Sequence, residues 1–205
     1  MIFVLPGMGA DHRMYAAPAW QRLKAARFLD WPEYQGETTI AAIAGRVITE
    51  AGIPDGATVI GSSLGGIVAA EIARTRKLKA LVLIGGAVHP REVSKLLALI
   101  HPIAHLAPMS FIQAAAGKIP SELAEMFTQA QADFIRASCL AIFDWQGLDE
   151  SIIQPVRIHG RRDRVVPLPS RVDLALDGGH LIAMTHAQEC GSFLEAHHLV
   201  RSNEA

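Results

Sequence analysis

Apolar and polar residues follow two patterns along the chain. Six short runs combine apolar and β-branched residues and are bounded by turn residues, which predicts strands. These runs cover residues 2–5, 27–30, 58–61, 80–84, 156–159 and 172–176. Segments with apolar residues every three or four positions are predicted to be helices, and they include residues 15–26, 64–76 and 187–198. Because strands and helices alternate, the pattern predicts an α/β fold with a mainly parallel six-stranded sheet.

Capping residues bound a further helix between the second and third strands. Thr38 or Thr39 can accept a hydrogen bond from the first turn of this helix. The helix is expected to run through Ala51 and to end at Gly52, since glycine adopts the left-handed conformation that closes a helix.

The alternation is interrupted between the fourth and fifth strands. The intervening segment carries no strand signal, and its periodicity predicts helices at residues 92–100, 110–116 and 121–143. A minimal α/β fold does not need so long a connection. We therefore expect residues 88–155 to form a helical cap inserted over the carboxyl edge of the sheet. Residues 1–87 and 156–205 would then form the core.

Composition limits the class of protein. The chain has 205 residues, which fits one domain or a domain with an insertion, and half of them are apolar. A formal net charge of −1 gives no electrostatic basis for binding nucleic acid or an anionic membrane. The N-terminal residues lack the basic region and the long apolar run of a signal peptide, so none is expected, and no apolar run approaches the roughly 20 residues that span a bilayer. Cys139 and Cys190 lie outside any C-x-x-C spacing, as expected of buried thiols in a reducing compartment. We expect a cytoplasmic protein without membrane association.

The turn after the third strand carries a catalytic motif. Gly61-x-Ser63-x-Gly65 matches the G-x-S-x-G nucleophile elbow, a sharp turn between a strand and a helix. Such a turn strains the backbone of its central residue and leaves no room for side chains two positions away, which explains the glycines. It also points the next helix N-terminus toward the group that Ser63 would attack. Over these five residues alone, a glycine- and serine-rich turn without a catalytic role would look the same.

Two later strand ends supply the other groups that a serine nucleophile needs. A hydroxyl requires a base to remove its proton and an acid to orient that base. Asp163 follows the fifth strand and His180 follows the sixth, in the hydrolase order Ser…Asp…His. Parallel strands end at one edge of the sheet, so these residues are expected to meet Ser63 there. The competing acids are Asp144, Asp149 and Asp177.

An oxyanion hole would complete the site. Its donors are expected to be the backbone N–H groups of Leu64, after the nucleophile, and Met8, in the loop after the first strand. Gly7 and Gly9 allow a backbone amide of this loop to face an acyl oxygen. Asp11, at the end of the loop, is predicted to cap the following helix.

Four motifs in this order resemble those of the α/β-hydrolase fold family, in particular compact bacterial hydrolases with a Pro-Gly-x-Gly-Ala-Asp oxyanion loop. They occupy residues 6–11, 61–66, 159–163 and 178–180, so the resemblance spans nearly the whole chain. It implies that Ser63 is the nucleophile, His180 the general base and acid, and Asp163 the orienting acid. The chain departs from the family pattern in two respects. Its first strand corresponds to the usual third, so the N-terminal antiparallel strands are missing, and Pro6-Gly7 replaces a frequent His-Gly.

Further residues are candidates for other roles. Those that could contact a substrate are His12, Leu97, Ile100 and Trp145. The apolar members of this group could equally belong to the core of the cap. His159, at a strand end, is expected to be a structural hydrogen-bonding residue.

The sequence predicts no cofactor. His101 and His105 have the spacing of a metal-binding pair, but Pro102 between them and the apolar surroundings argue against a metal site. The chain has no P-loop, and Gly7-x-Gly9 lacks the third glycine of a dinucleotide-binding fingerprint.

These observations lead to two hypotheses for function. The first is a serine hydrolase of small to medium carboxylic esters or related acyl compounds, acting through an acyl-enzyme on Ser63. Thioester, amide and carbon–carbon bond hydrolysis share this scaffold, and fold does not separate them. The second is a ligand-binding or regulatory protein whose triad is slow or vestigial. The expected partner is a small-molecule acyl substrate, and the sequence does not give the oligomeric state.

Overall fold

A six-stranded sheet forms the centre of the molecule. The computed structural model describes residues 1–94 and 121–199. The strands are β1 (Ile2–Leu5), β2 (Ala26–Phe28), β3 (Thr58–Ser62), β4 (Ala80–Ile84), β5 (Val156–Gly160) and β6 (Leu174–Leu176). Their order in the sheet is β2–β1–β3–β4–β5–β6, and each neighbouring pair is parallel. The predicted α/β fold with a six-stranded parallel sheet is confirmed.

Helices cover both faces of the sheet. They are α1 (Pro18–Gln21), α2 (Ile40–Ala51), α3 (Leu64–Thr75), α4 (Ser121–Gln129), α5 (Ala132–Asp144), α6 (Ile182–Thr185) and α7 (Ala187–Ala196). Short 3₁₀ helices span His12–Tyr15 and Pro90–Glu92. One apolar cluster joins the sheet to α2, α3 and α5, and another joins it to α1, α6 and α7. None of the helices in these described ranges is long and apolar enough to cross a membrane.

Burial on both faces explains why the strands are so apolar. Along β4, Leu81 and Leu83 pack into the cluster with α2 and α3, whereas Val82 and Ile84 pack into the cluster on the opposite face. Successive side chains of a strand point to opposite faces, so both sets must be apolar when helices cover both sides.

The predicted caps of α2 are confirmed. The Thr39 hydroxyl accepts a hydrogen bond from the backbone N–H of Ala42 at 3.1 Å. At the other end, Gly52 has φ +64°, the left-handed conformation in which glycine closes a helix. The side chain of Asp11 likewise accepts from the Arg13 N–H and caps the first 3₁₀ helix, as expected.

The prediction of one helix over residues 15–26 is wrong. Only Pro18–Gln21 is α-helical, and Ala17 before it has an extended ψ of 140°. Proline disfavours the helical conformation in the residue that precedes it, so the chain breaks at this point. The buried indole of Trp20 then donates to the Ala183 carbonyl at 2.8 Å and anchors α1 on α6.

Part of the inserted segment also differs from the prediction. A single helix over residues 121–143 was expected, but α4 and α5 are separated at Gln131, whose backbone is extended. The Gln131 side chain accepts a hydrogen bond from the N–H of Tyr34, and the Phe134 ring packs on Trp31 and Tyr34. Tertiary contacts with the loop after β2 therefore accompany a break that neither glycine nor proline signals.

The start of the inserted segment is likewise not as predicted. Glu92 ends a 3₁₀ turn and Val93 is extended, so no helix begins at Glu92. The remainder of the predicted helix at 92–100, and the one at 110–116, lie outside the described residues. The division of the chain into a core and a cap at 88–155 stays a prediction.

Backbone contacts around the β3–α3 turn leave no space for side chains. A Cβ atom on Gly61 would lie 2.1 Å from the carbonyl oxygen of Gly65, and one on Gly65 would lie 2.4 Å from that of Pro6. The obstructing atoms are backbone, which cannot move aside like a flexible side chain. The ends of β3 and β1 therefore meet the first turn of α3 only because Gly61 and Gly65, respectively, have no side chain.

Replacing Gly61 by alanine is expected to destabilise the fold, because the new methyl group would overlap the Gly65 carbonyl. We expect the free energy of unfolding in urea to fall by at least about 2 kcal/mol. Gly45 is the matched control, since it lies on the exposed side of α2 with no heavy atom within 4 Å of an added Cβ. Gly45→Ala should stabilise by about 0.5–1 kcal/mol. Equal effects of the two substitutions would contradict this account of the turn.

Candidate active site

Ser63 occupies the sharp turn between β3 and α3 that the sequence predicts. Its backbone has φ +53° and ψ −119°, a conformation that costs about 1–3 kcal/mol in a non-glycine residue. Hydrogen bonds hold it there. The Ser63 N–H donates to the Ile84 carbonyl at 3.0 Å, and its own carbonyl accepts from Gly66 at 2.9 Å. The strained turn is therefore fixed by its neighbours on both sides.

The structure brings Ser63, His180 and Asp163 into one hydrogen-bonded line. His180 Nε2 lies 2.8 Å from the Ser63 hydroxyl, and His180 Nδ1 lies 2.8 Å from Asp163 Oδ2. An ionised carboxylate only accepts hydrogen bonds, so Nδ1 carries the proton and Nε2 is free to accept from the serine. This is the arrangement in which a histidine can remove a serine proton.

Asp163 is held as an anion although its side chain is completely buried. Burial acts to raise the pKa of this carboxyl, but hydrogen bonds from His159 and His180 and from the Val166 N–H outweigh it and hold the pKa well below its usual range. Asp163 Oδ1 accepts from the Val165 and Val166 N–H groups at 2.8 and 3.0 Å. Oδ2 is left to face His180.

The three competing acids lie elsewhere. Asp177 is 79% exposed and pairs with Arg162 at 3.3 Å. Asp149 accepts hydrogen bonds from the neighbouring Ser151, and Asp144 is exposed at the end of α5. Among the described acids, Asp163 alone contacts the His180 ring.

The loop expected to form the oxyanion hole lies beside Ser63. A Cβ atom on Gly7 would be 3.7 Å from that of Ser63. The loop is held in place because Trp31 donates its indole N–H to the Gly7 carbonyl at 2.9 Å and the Gly7 N–H points to Met14 Sδ at 3.2 Å. Within residues 1–94 and 121–199, no acceptor faces the N–H groups of Met8 and Leu64. The role of these two N–H groups as oxyanion donors stays a prediction.

Helices α4 and α5 pack directly on this loop. The Phe127 ring covers Gly9, where an added Cβ would lie 2.4 Å from the ring. The Met8 and Phe127 side chains both pack against the cluster of Ile135 and Cys139, and the Cys139 thiol lies 3.6 Å from Met8 Sδ. Burial raises the pKa of this thiol to about 11, so it stays protonated. The inserted segment therefore contacts the very residue whose backbone is expected to bind the oxyanion.

The residues predicted to contact the substrate have different positions. His12 is exposed, and both its N–H and its Nδ1 bond to Asp30 Oδ1. Trp145 was expected near the substrate, but it is buried in the core and its indole donates to Glu71 at 2.8 Å. This burial and hydrogen bond agree with the alternative of a core residue. Leu97 and Ile100 lie outside the described residues.

A surface cavity of about 350 Å³ is lined by residues 9–13, by residues 30–32 after β2, and by residues of α4 and α5. On its wall, metal-ligand atoms of Asp11, His12 and Asp30 lie within 4.8 Å of one another. Arg13 already occupies both oxygens of Asp11 at 2.7–3.0 Å, and His12 is bonded to Asp30. A cation would have to displace these partners, so the cluster is explained by its internal ion pairs.

The role of His159, which lies next to the site, is only partly predicted from the sequence. His159 was expected to be a structural hydrogen-bonding residue, and its Nε2 does lie 2.7 Å from the Val166 carbonyl. The same atom also lies 3.4 Å from Asp163 Oδ2. The spacing of four residues between His159 and Asp163 is the only sequence signal of this contact, and it depends on how the intervening loop folds.

Comparison with known proteins agrees with this geometry. The sequence matches the model of the alpha/beta hydrolase family over residues 2–192. The chain is similar to an esterase from Exiguobacterium antarcticum, with a TM-score of 0.74, 16% identity and coverage of 96% of this chain and 91% of that one. It is also similar to a thermophilic esterase from Thermogutta terrifontis, with a TM-score of 0.70, 16% identity and coverage of 97% and 89%.

A third similar structure is a 2-hydroxy-6-oxo-6-phenylhexa-2,4-dienoate hydrolase from Rhodococcus. Its TM-score is 0.62, with 20% identity and coverage of 97% of this chain and 90% of that one. Identities this low show a shared fold and no more. No curated protein sequence matches the chain significantly.

The buried Asp163 carboxylate predicts a specific pH dependence of stability. Its folded pKa lies below the unfolded value of about 3.9, so its contribution is full above about pH 4 and is lost as the pH falls through the folded pKa. Asp163→Asn should therefore lower the free energy of unfolding at pH 7, and its difference from the wild type should shrink below about pH 4. Urea titrations between pH 7 and pH 2 measure this.

The matched control is Asp177→Asn, because Asp177 is 79% exposed. This substitution should change stability little at any pH, since surface ion pairs contribute about 0–1 kcal/mol. A destabilisation by Asp163→Asn that stays constant down to pH 2 would contradict the assignment of a buried anion.

Proposed function

Because the chain belongs to the alpha/beta hydrolase family over residues 2–192, we propose that it is a serine hydrolase of small to medium carboxylic esters or related acyl compounds. The observation that carries the proposal is the line of hydrogen bonds from Ser63 through His180 to Asp163, each 2.8 Å long. Residues from three strand ends converge there on a backbone conformation that serine rarely adopts.

In the proposed acylation step, the Ser63 oxygen attacks the substrate carbonyl carbon while His180 Nε2 takes the hydroxyl proton. Asp163 stabilises the resulting imidazolium through its hydrogen bond to Nδ1–H. When the tetrahedral intermediate collapses, the protonated His180 gives its proton to the departing alcohol oxygen. The products of this step are the alcohol and an ester between the acyl group and Ser63.

In deacylation, a water molecule takes the place of the alcohol. His180 Nε2 removes a proton from the water as its oxygen attacks the acyl carbon, and a second tetrahedral intermediate forms. His180 then returns the proton to the Ser63 oxygen as the carboxylic acid leaves. The site ends the cycle in its starting protonation state.

The negative charge of both intermediates would be held by the backbone N–H groups of Met8 and Leu64. Two features support this role: neither amide faces an acceptor within the described chain, and Gly7 brings the Met8 loop against Ser63. Preorganised donors of this kind typically contribute 10²–10³ in kcat for each donor. The packing of Met8 against α4 and α5 would link the donor position to the inserted segment.

This mechanism could cleave several classes of acyl compound, and we propose esters as the preferred class. The fold relatives include two esterases and a hydrolase of a dienoate, so fold similarity does not separate these chemistries. A series of p-nitrophenyl esters from acetate to decanoate, beside matched thioesters and anilides, would rank them by kcat/KM. We expect the esters of short and medium chains to be cleaved best. A clear preference for thioesters or anilides would contradict the proposed class.

Ser63→Ala is expected to abolish hydrolysis, with kcat for p-nitrophenyl butyrate falling by about 10⁴–10⁶ because no other group supplies the nucleophile. A fluorophosphonate probe should label the wild type stoichiometrically at Ser63, and His180→Ala should prevent labelling. The matched control is Ser62→Ala, one residue earlier at the end of β3, which should leave labelling intact. A folded wild type that takes up no label would contradict the nucleophile assignment and favour a ligand-binding protein with a vestigial triad.

A further inference from the structure

A second histidine lies behind the Asp163 carboxylate. His159 is the penultimate residue of β5 and is completely buried. Its Nε2 lies 2.7 Å from the Val166 carbonyl oxygen and 3.4 Å from Asp163 Oδ2. A carbonyl only accepts, so Nε2 must carry the proton of the bond to Val166. This protonated nitrogen lies beside the same carboxylate oxygen that bonds to His180.

The hydrogen bond from His159 to the Val166 carbonyl anchors the backbone segment 163–166, which surrounds the Asp163 carboxylate. The N–H groups of Val165 and Val166 donate to Oδ1, while the Val166 carbonyl on the next peptide is tied to His159. The Asp163 N–H in turn donates to the Gly160 carbonyl at 3.2 Å. Asp163 is thus fixed at its backbone and at one carboxylate oxygen, and the loop that fixes it is anchored by His159.

The surroundings of the ring favour a specific role for Nε2. Among the described residues, His159 Nδ1 has no hydrogen-bond partner, although an unsatisfied buried nitrogen is unfavourable. Arg157, on the same side of β5, pairs with Glu92 at 2.8 Å, and Glu92 is near enough to interact electrostatically with the ring. Within residues 1–94 and 121–199, the charged groups that face the ring are Asp163 and, at longer range, Glu92, and these pair with His180 and Arg157. An apolar side chain could fill the same space, but it could not donate a hydrogen bond to the Val166 carbonyl as Nε2–H does.

We propose that His159 is a positioning residue for the triad: its Nε2–H anchors the 163–166 loop and keeps Asp163 Oδ2 directed at His180. The proposal rests on the proposed function, because it assigns a partner to the acid of that site. His159 does not touch the substrate in this role. It acts on catalysis only through Asp163.

Three variants at position 159 distinguish the effect of the Nε2–H donor from the effect of the volume of the ring. His159→Leu removes the donor, His159→Gln places an amide nitrogen about where Nε2 lies, and His159→Asn places one nearer to Nδ1. We expect kcat for p-nitrophenyl butyrate to fall about 10- to 100-fold in the leucine and asparagine variants, with KM unchanged, because a displaced acid misorients the base. The glutamine variant should keep most of the activity. If the leucine variant does not fold, the glutamine–asparagine pair decides, and equal activities in that pair would overturn the proposal.

A double-mutant cycle tests whether His159 acts through Asp163. In an Asp163→Asn background the carboxylate is already absent, so adding His159→Leu should lower kcat less than about twofold further. A loss as large as in the wild-type background would show that the ring supports the fold in general, and would overturn the proposal.

A spectroscopic readout separates this proposal from the proposed function. The Nδ1 proton of His180, shared with Asp163, should give a far-downfield proton NMR signal in the wild type and in His159→Gln. It should move upfield or broaden in His159→Leu. An unchanged signal in His159→Leu would overturn the positioning role, even if Ser63 takes up no fluorophosphonate. Absence of labelling with the expected NMR changes would instead refute the hydrolase function alone.

Discussion

The close approach of three backbone segments is the constraint on which the site depends. The end of β1, the end of β3 and the first turn of α3 meet at distances that exclude a Cβ atom at Gly61 and Gly65. This packing holds Ser63 at a positive φ and leaves its hydroxyl beside the loop that carries Met8. The energy that the strained turn costs is offset by the hydrogen bonds and the two-sided core that surround it. The backbone conformation of Ser63 therefore depends on how the surrounding strands and helix pack together.

The second constraint on the site is electrostatic and concerns the buried Asp163 carboxylate. An anion as deeply buried as Asp163 is stable only where enough hydrogen-bond donors face it, and two backbone amides and two histidines do so. The orientation of its oxygens determines which His180 nitrogen carries the proton. Ser63, His180 and Asp163 thus come from different strand ends, and the parallel sheet brings them to one edge.

Much of this arrangement could be predicted from the sequence because it depends on local rules. Strands buried on both faces are apolar, Thr39 and Gly52 have the chemistry of caps, and a sharp turn requires glycine at two known positions. One failure is local, because Pro18 breaks a periodic segment. The break at Gln131 is accompanied by tertiary contacts with Tyr34, and the burial of Trp145 against Glu71 likewise depends on tertiary packing. The contact of His159 with Asp163 depends on a closed loop, which spacing alone does not reveal.

The central claim is that Ser63 becomes covalently acylated during turnover. Its most direct test is intact-protein mass spectrometry after rapid acid quenching with a p-nitrophenyl ester, followed by peptide mapping. The account predicts a transient mass increase equal to one acyl group, located on Ser63 and absent in His180→Ala. Hydrolysis without any acylated protein, or an acyl group on another residue, would contradict it.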